Sequence, residues 1–405
     1  MRLDAPWLKT GPLPRLLAAL DGEGEEAAVI GGAVRNALLG EPVHEIDVAT
    51  TALPDEVIRR VTKAGFKAVP TGIDHGTITV VIDGRPFEVT TLREDVETYG
   101  RKAKVAFGRD WKKDAERRDF TINALSATRD GAVRDYVGGL SDLNARRVRF
   151  IGDPAQRIEE DYLRILRFFR FHAAYGEGPP DAAGLHACIA AREGLGALSR
   201  ERVRMELLKL LVARHAVAAL VAMAEGGLLL PVLGGVPLLA GFSNMIKVEQ
   251  ALGEAPDAVR RLGALGVTVF EDAERLTQRL RLSNDEQARL ASMGEGWWRI
   301  DPAQPRKDAR ALLYRLGPQH YLDRTTLAFA RSQAAANDKS WHELIALPRN
   351  WTAPKFPLSA ADFTARGIEK GPKLGEALRK AEAAWIEADF PADPAALKAI
   401  ADRAI

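Results

Sequence analysis

Short apolar runs bounded by glycine, proline and charged turns mark the first 150 or so residues. Residues 27–30 form such a run and end at Gly31-Gly32, which predicts a strand turning into a helix over 33–39. Residues 46–50 read as a second strand. Residues 54–63 carry helical apolar spacing, with Pro54 in the first turn. β-Branched runs at 77–82 and 86–92 flank Asp83-Gly84, a hairpin signal. Two more short strands are expected at 132–136 and 147–151. The polar, charged stretch 93–116 reads as a mobile loop. Helical apolar spacing then resumes at Phe120, Ala124 and Leu125, with Asp119 placed to cap a helix.

Beyond Gly152-Asp153-Pro154 the strand signals nearly vanish, and Ala- and Leu-rich helical spacing continues to the end. The pattern predicts an α+β chain, a mixed sheet-and-helix head followed by an all-helical remainder. Breaks are expected near 175–180, 296–307 and 348–357. The charge-free stretch 226–246 is long enough to span a bilayer. Pro231, Pro237 and several glycines interrupt it, so it reads as a buried helix, a turn and a short helix. Lys9, Gly11, Pro12, Pro14 and Arg15 break the apolar run at the N-terminus, which argues against a signal peptide. With 405 residues, 46% hydrophobic and 28% charged, the chain can bury sizeable cores without staples. Its single cysteine, Cys188, excludes an intramolecular disulfide and a cysteine-rich metal site; it reads as a core residue of a soluble, cytoplasmic protein. The net charge is only +2, so any nucleic-acid footprint must come from local clusters of Arg and Lys.

Candidate chemistry begins at Gly31-Gly32-Ala33-Val34-Arg35. Two glycines at a strand-to-helix turn let backbone N–H groups approach an anion closely, and Arg35 adds a forked cation one turn later. Alone, such a turn is more often only a tight turn. Glu45 and Asp47 follow, two apart on the expected strand and so on one face. Paired carboxylates attract Mg²⁺, which keeps waters and substrate phosphates in its octahedron. The bland reading is a solvated acidic face, but the glycine turn close by makes coincidence less plausible. Glu88 reads first as a surface strand glutamate, with a third metal carboxylate as the alternative. No histidine shows metal-ligand spacing, and no His-Asp dipeptide occurs, which argues against an appended metal phosphohydrolase.

Arg117-Arg118-Asp119 opens a second basic segment, in which Arg118 is suited to a triphosphate. A third segment carries Asp161, Arg164, Arg167 and Arg170 at every third residue, a polar stripe along one expected helix. Tyr162, Ile165, Leu166 and Phe169 form its packed face. The bland reading is an amphipathic helix with a surface Asp–Arg pair; three arginines beside aromatics favour RNA or a nucleotide. Cytosine and adenine both present an amino donor beside an acceptor nitrogen. Asp161 accepts from the first and Arg164 donates to the second. Guanine and uracil reverse that order and leave polar groups unpaired.

Together these segments, with Glu45-Ile46-Asp47-Val48-Ala49-Thr50, resemble the class II tRNA nucleotidyltransferase and bacterial poly(A) polymerase family. The resemblance implies a polymerase-β-like nucleotidyltransferase head over 1–152. A helical neck over 153–215 recognises the base, a helical body covers 216–300, and an RNA-binding tail covers 301–405. It implies that Glu45 and Asp47 hold the metal ions, that Gly32, Arg35 and Arg118 contact the nucleotide, and that Asp161 and Arg164 read the base beside Arg167 and Arg170. The expected function is template-independent addition of C, C and A to tRNA from CTP and ATP, with no protein partner and no membrane. Poly(A), A-only or CC-only addition are the alternatives within the chemistry; a non-catalytic RNA-binding homologue is the alternative outside it. The family's usual Asp is Glu at position 45 and Asn at position 36.

Overall fold

The computed structural model describes residues 1–99 and 102–405, with side chains described outside 94–105. The chain divides into two compact units, Met1–Val232 and Leu233–Ile405. In the first, α1 (Pro6–Lys9) and α2 (Pro12–Leu20) precede β1 (Ala27–Ile30), α3 (Gly32–Leu39), β2 (Asp47–Thr50) and α4 (Pro54–Lys63). Then come β3 (Lys67–Gly72), β4 (Thr77–Ile82) and β5 (Arg85–Thr91). The sheet is completed by β8 (Ser126–Thr128) and β9 (Val133–Arg134), after a separate pair, β6 (Arg93–Tyr99) and β7 (Lys102–Phe107), and the helix α5 (Trp111–Glu116). Its seven strands run β3-β4-β5-β2-β1-β8-β9, with β2 and β5 parallel and every other neighbouring pair antiparallel.

Helical spacing builds the packing over this sheet. Leu13, Leu16, Leu17 and Leu20 lie on one face of α2 and are all buried. α2 packs on α4, whose buried Val57 and Val61 belong to the face that meets the sheet. At the hairpin between β4 and β5, Asp83 and Gly84 take φ of +51° and +76°, the paired left-handed conformation of a type I′ turn.

Four sequence expectations require correction. The loop expected at 93–116 is instead β6, β7 and α5, with Gly100 and Arg101 outside the described residues. Its strands are polar because they pair with each other rather than within the main sheet. The helix expected after Asp119 is one 3₁₀ turn, Thr121–Asn123, that feeds β8. Asp119 turns its side chain to Arg167, to Asn123 and to the Phe120 N–H instead of capping a helix. At 147–151 Val148 and Phe150 are buried, but the segment makes only an isolated bridge, Phe150 to Phe120. Arg147 and Arg149 are drawn to buried Asp142 (2.5 and 2.9 Å), in α6 (Gly139–Asn144). The strand at 132–136 shrinks to β9, and β3 was missed because Pro70 interrupts it, tolerable at a sheet edge.

After the sheet, α7 (Pro154–Glu160) and α8 (Leu163–Tyr175) are separated at Asp161, whose backbone is extended (φ −158°, ψ 105°). The stripe therefore starts in a helix break rather than within one helix. α9 (Ala182–Ala190) and α10 (Arg200–Leu211) follow, and Cys188 is buried in α9. Residues 226–246 divide between helices Leu229–Leu233 and Leu239–Leu252, and no helix among the described residues is long and apolar enough to cross a membrane.

The described residues of the second unit form helices and turns only. At its centre Asp323, fully buried, accepts from Arg289 Nε and Nη2 (2.7 and 2.9 Å), Arg260 Nε (3.2 Å) and Gln319 Nε2 (3.0 Å). Buried Glu249 accepts from Arg261 (2.7 Å) and Arg260 (3.4 Å). Burying these charges is tolerable only because each is bonded.

Candidate active site

Backbone pairing sets the carboxylates. Asp47, first residue of β2, is in register with Glu88 on parallel β5 and with Ile30 on β1. Registered neighbours share a face, so Asp47 and Glu88 stand side by side. Glu45 lies in the segment before β2 and is exposed; it is not on the strand, and the two-residue spacing does not by itself align it. Nevertheless Glu45, Asp47 and Glu88 line one cavity of about 830 Å³. Loss of solvent, and then the like charges of Glu88 and Glu45, raise the Asp47 pKa above its ordinary value; the Arg118 charge opposes them.

No cluster of three or more His, Cys, Asp or Glu among the described residues is gathered tightly enough to cage a metal. The donors that converge are hard oxygens whose mutual repulsion a cation would relieve. That suits a divalent ion completing its shell with water and phosphate. The acidic residues that line this cavity, Glu45, Asp47 and Glu88, therefore fit such a group.

The glycine turn lies next to these acids because β1 ends opposite Asp47. Gly31 takes φ +66° with ψ −123°, a conformation suited to glycine, and Gly32 begins α3. A side-chain carbon on Gly31 would sit 3.6 Å from Arg118 Nη1 and 3.5 Å from the Asn123 carbonyl. Bare backbone thus faces the Arg118 guanidinium. Asp114, buried on α5, accepts from Arg118 Nη2 (3.0 Å) and Arg117 Nε (2.9 Å) and aims both arginines. These charges hold Asp114 below the usual carboxylate range despite its burial.

Arg35 differs from expectation. Its side chain is only 6% exposed and fully engaged. It donates to Asn123 Oδ1, to Asn36 Oδ1 (3.1 and 2.9 Å) and to the Tyr175 hydroxyl (2.7 Å), and stacks over the Tyr175 ring at 3.9 Å. Burial lowers its pKa. Arg35 is a brace between α3 and α8, and Asn36 serves it without a carboxylate, its own amide donating to the Pro42 carbonyl (2.9 Å).

The brace continues into the arginine stripe. Asn123 Nδ2 donates to Asp119 Oδ1 (3.0 Å), and Arg167 donates twice to Asp119 Oδ2 (2.8 and 2.5 Å). Against its burial, Arg167 and Asn123 keep Asp119 below the usual carboxylate range. Glu206 of α10 takes Arg170 and approaches Arg167 (3.5 Å). Arg164 donates to Glu160 (2.5 Å) and the Arg157 carbonyl (2.6 Å), whereas Asp161 accepts from Arg202 (2.6 and 3.2 Å). The Asp161 and Arg164 side chains are thus held by separate partners, each partly exposed, while the Arg164 backbone N–H donates to the Asp161 carbonyl (3.0 Å). Behind them Phe120, Phe150, Phe168 and Phe171 pack ring to ring, with centroids 4.9–6.2 Å apart.

Sequence reading missed Asp114, Asn123, Tyr175, Arg202 and Glu206. Two had a local signal: Asp114 lies four residues before Arg118, and Asn123 four residues after Asp119. Tyr175, Arg202 and Glu206, and Asn123 toward Arg35, reach their partners across tens of residues or more of intervening chain.

Two family models match the chain. Residues 27–149 match the Poly A polymerase head domain, and residues 184–240 match the probable RNA and SrmB-binding site of polymerase A. The mitochondrial CCA tRNA nucleotidyltransferase 1 of Homo sapiens is 34% identical over 404 residues, 96% of this chain and 90% of that protein. The CCA-adding enzyme of Limosilactobacillus fermentum is 30% identical over 371 residues, 91% of this chain and 90% of that one. The crystal structure of the Bacillus stearothermophilus CCA-adding enzyme in complex with CTP superposes with a TM-score of 0.75 at 25% identity, covering 99% of this chain and 98% of that one. A head that sets carboxylates beside a glycine turn, a bonded arginine stripe behind it and full-length likeness to these enzymes place the chain in the family of CCA-adding tRNA nucleotidyltransferases.

Proposed function

We propose that this protein completes the 3′ end of tRNA, adding C, C and then A from CTP and ATP with release of pyrophosphate. The observation that carries the reading is the continuity of the site. Asp47, Arg118 and the Gly31 turn lie together, and Asn123 and Asp119 link that turn to the stripe on α8.

Glu45 and Asp47 would hold Mg²⁺, with Glu88 available as a third carboxylate. When bound, Mg²⁺ lowers the proton affinity of the attacking hydroxyl and offsets charge on the phosphates. The Gly32 N–H at the start of α3 and the Arg118 guanidinium bind the triphosphate. The 3′-hydroxyl oxygen bonds to the α-phosphorus, the bond to pyrophosphate breaks, and the hydroxyl proton passes to water. Asp161 and Arg164 read the base edge, aimed by Arg202 and Glu160. Arg167 and Arg170 wall the pocket, while Arg35 braces the turn. The head spans 1–152, the neck 153–215, the body 216–300 and the tail 301–405; the helical remainder carries the tRNA, and the protein works in the cytoplasm.

Purified protein given Mg²⁺, labelled CTP or ATP, and tRNAs ending before, within and after CCA should complete only the unfinished ends. Untemplated A runs on unrelated RNA would favour poly(A) addition instead, and A-only or C-only incorporation would mark a partial enzyme. Asp161→Ala should raise GTP and UTP incorporation relative to CTP by roughly 10- to 100-fold, the equivalent of about 1–3 kcal/mol per mispaired group. A uniform rate loss with selectivity intact would remove Asp161 from base reading.

A further inference from the structure

The cavity that holds the carboxylates has a second wall. α1 and the turn into α2 line it together with Glu45, Asp47 and Glu88, and Trp7 is their one aromatic contribution. Trp7 is half-buried, and among the described residues its ring has no stacking partner and its N–H no acceptor. Arg85, at the start of β5, lines the same cavity, is exposed, and has no ion pair among the described residues. The wall is anchored on both sides of Trp7. The Leu3 N–H donates to the Gly131 carbonyl (2.7 Å), and Leu8 is buried.

We infer that this cavity receives the last nucleotide already present on the RNA, with its base against the Trp7 indole and its phosphate at Arg85. The inference rests on the nucleotidyl-transfer reading of the carboxylates and adds the acceptor to it. Its volume, about 830 Å³, lies within the range of small-ligand sites. The chemistry also requires a tolerant surface. Over three additions the terminal base is first whatever the tRNA supplies, then C, then C again. A hydrogen-bonding pocket would favour one of these, whereas an aromatic face stacks any base. The incoming and the acceptor nucleotides are thus recognised in opposite ways, one by a polar edge and one by a flat ring.

The test pairs Trp7 with the base it is proposed to touch. With wild-type protein, a tRNA lacking CCA and carrying an abasic terminal residue should show a KM about tenfold above that of the intact tRNA, as expected for one lost base–aromatic stack. Trp7→Ala should raise the KM for intact tRNA similarly, leave the KM for CTP unchanged, and show no further loss with the abasic tRNA. Trp7→Phe should retain most of the affinity. Without nucleotide, intact tRNA should quench the fluorescence difference between wild type and Trp7→Phe, and abasic tRNA should not. An unchanged KM for abasic tRNA with wild-type protein, or independent additive losses from the two changes, would overturn the inference even if Trp7→Ala folds poorly. Absence of any CTP incorporation by wild type would instead defeat the parent reading, and the quench would still report on Trp7.

Discussion

Asparagine in place of Asp47 should lower CTP incorporation by about two to three orders of magnitude, the scale of losing one group that stabilises transition-state charge. tRNA binding should persist, because the contact removed belongs to the reacting phosphate. Single-turnover incorporation and a filter-binding assay separate the two. The same variant should unfold at a higher temperature than wild type. Asp47 has a folded-state pKa above its ordinary 3.8, from solvent loss and from Glu88 and Glu45. A raised carboxyl pKa favours folding fully below the unfolded value, and that contribution disappears as pH rises through the folded value. Near neutrality the ionised group therefore opposes folding, and the neutral amide removes the opposition. Lost activity with lowered stability would point to a structural role for Asp47, and unimpaired incorporation would refute the assignment.

In the second unit, Asp323→Ala should destabilise by about 3–5 kcal/mol, the usual consequence of breaking one side of a buried ion pair. Arg260 and Arg289 would keep their charges at 3–4% and 8–10% exposure with their shared acceptor gone. Asp323→Asn should fall between, since one carbonyl oxygen remains to accept. Urea unfolding followed by circular dichroism measures the difference. A change below about 1 kcal/mol would show that water or neighbouring acids replace the lost carboxylate. The two substitutions probe different economies of charge. Asp47 is crowded by like charge, while Asp323 is surrounded by opposite charge.

Period-2 and helical patterns specified the strands and helices that bury a continuous face. The strand at 27–30, the helix at 54–63 and the strand at 77–82 appear with those bounds. Elements without an apolar pattern were illegible. β6 and β7 pair with each other and carry charged sequence, so they read as a loop. At 147–151 the alternation was real, but a ladder also needs a neighbouring strand, which local sequence does not announce. In the site, residue types singled out the glycine turn, Asp47, Arg118 and the stripe as candidates, because each needs only its own neighbours to be noticed. What those side chains touch was hidden. Arg35 resembles a phosphate hand in sequence and is a brace in space, because Tyr175 and Asn123 reach it from 140 and 88 residues away. Asp161 and Arg164 are expected to meet one base edge together; the helix break at Asp161 and the separate partners Arg202 and Glu160 that hold the two side chains were not legible.

The chain of bonds from Arg35 through Asn123, Asp119 and Arg167 to Glu206 has a metrical consequence. It ties the helix that follows the glycine turn to α8 and α10 with little slack between them. A displacement at either end would therefore be felt at the other.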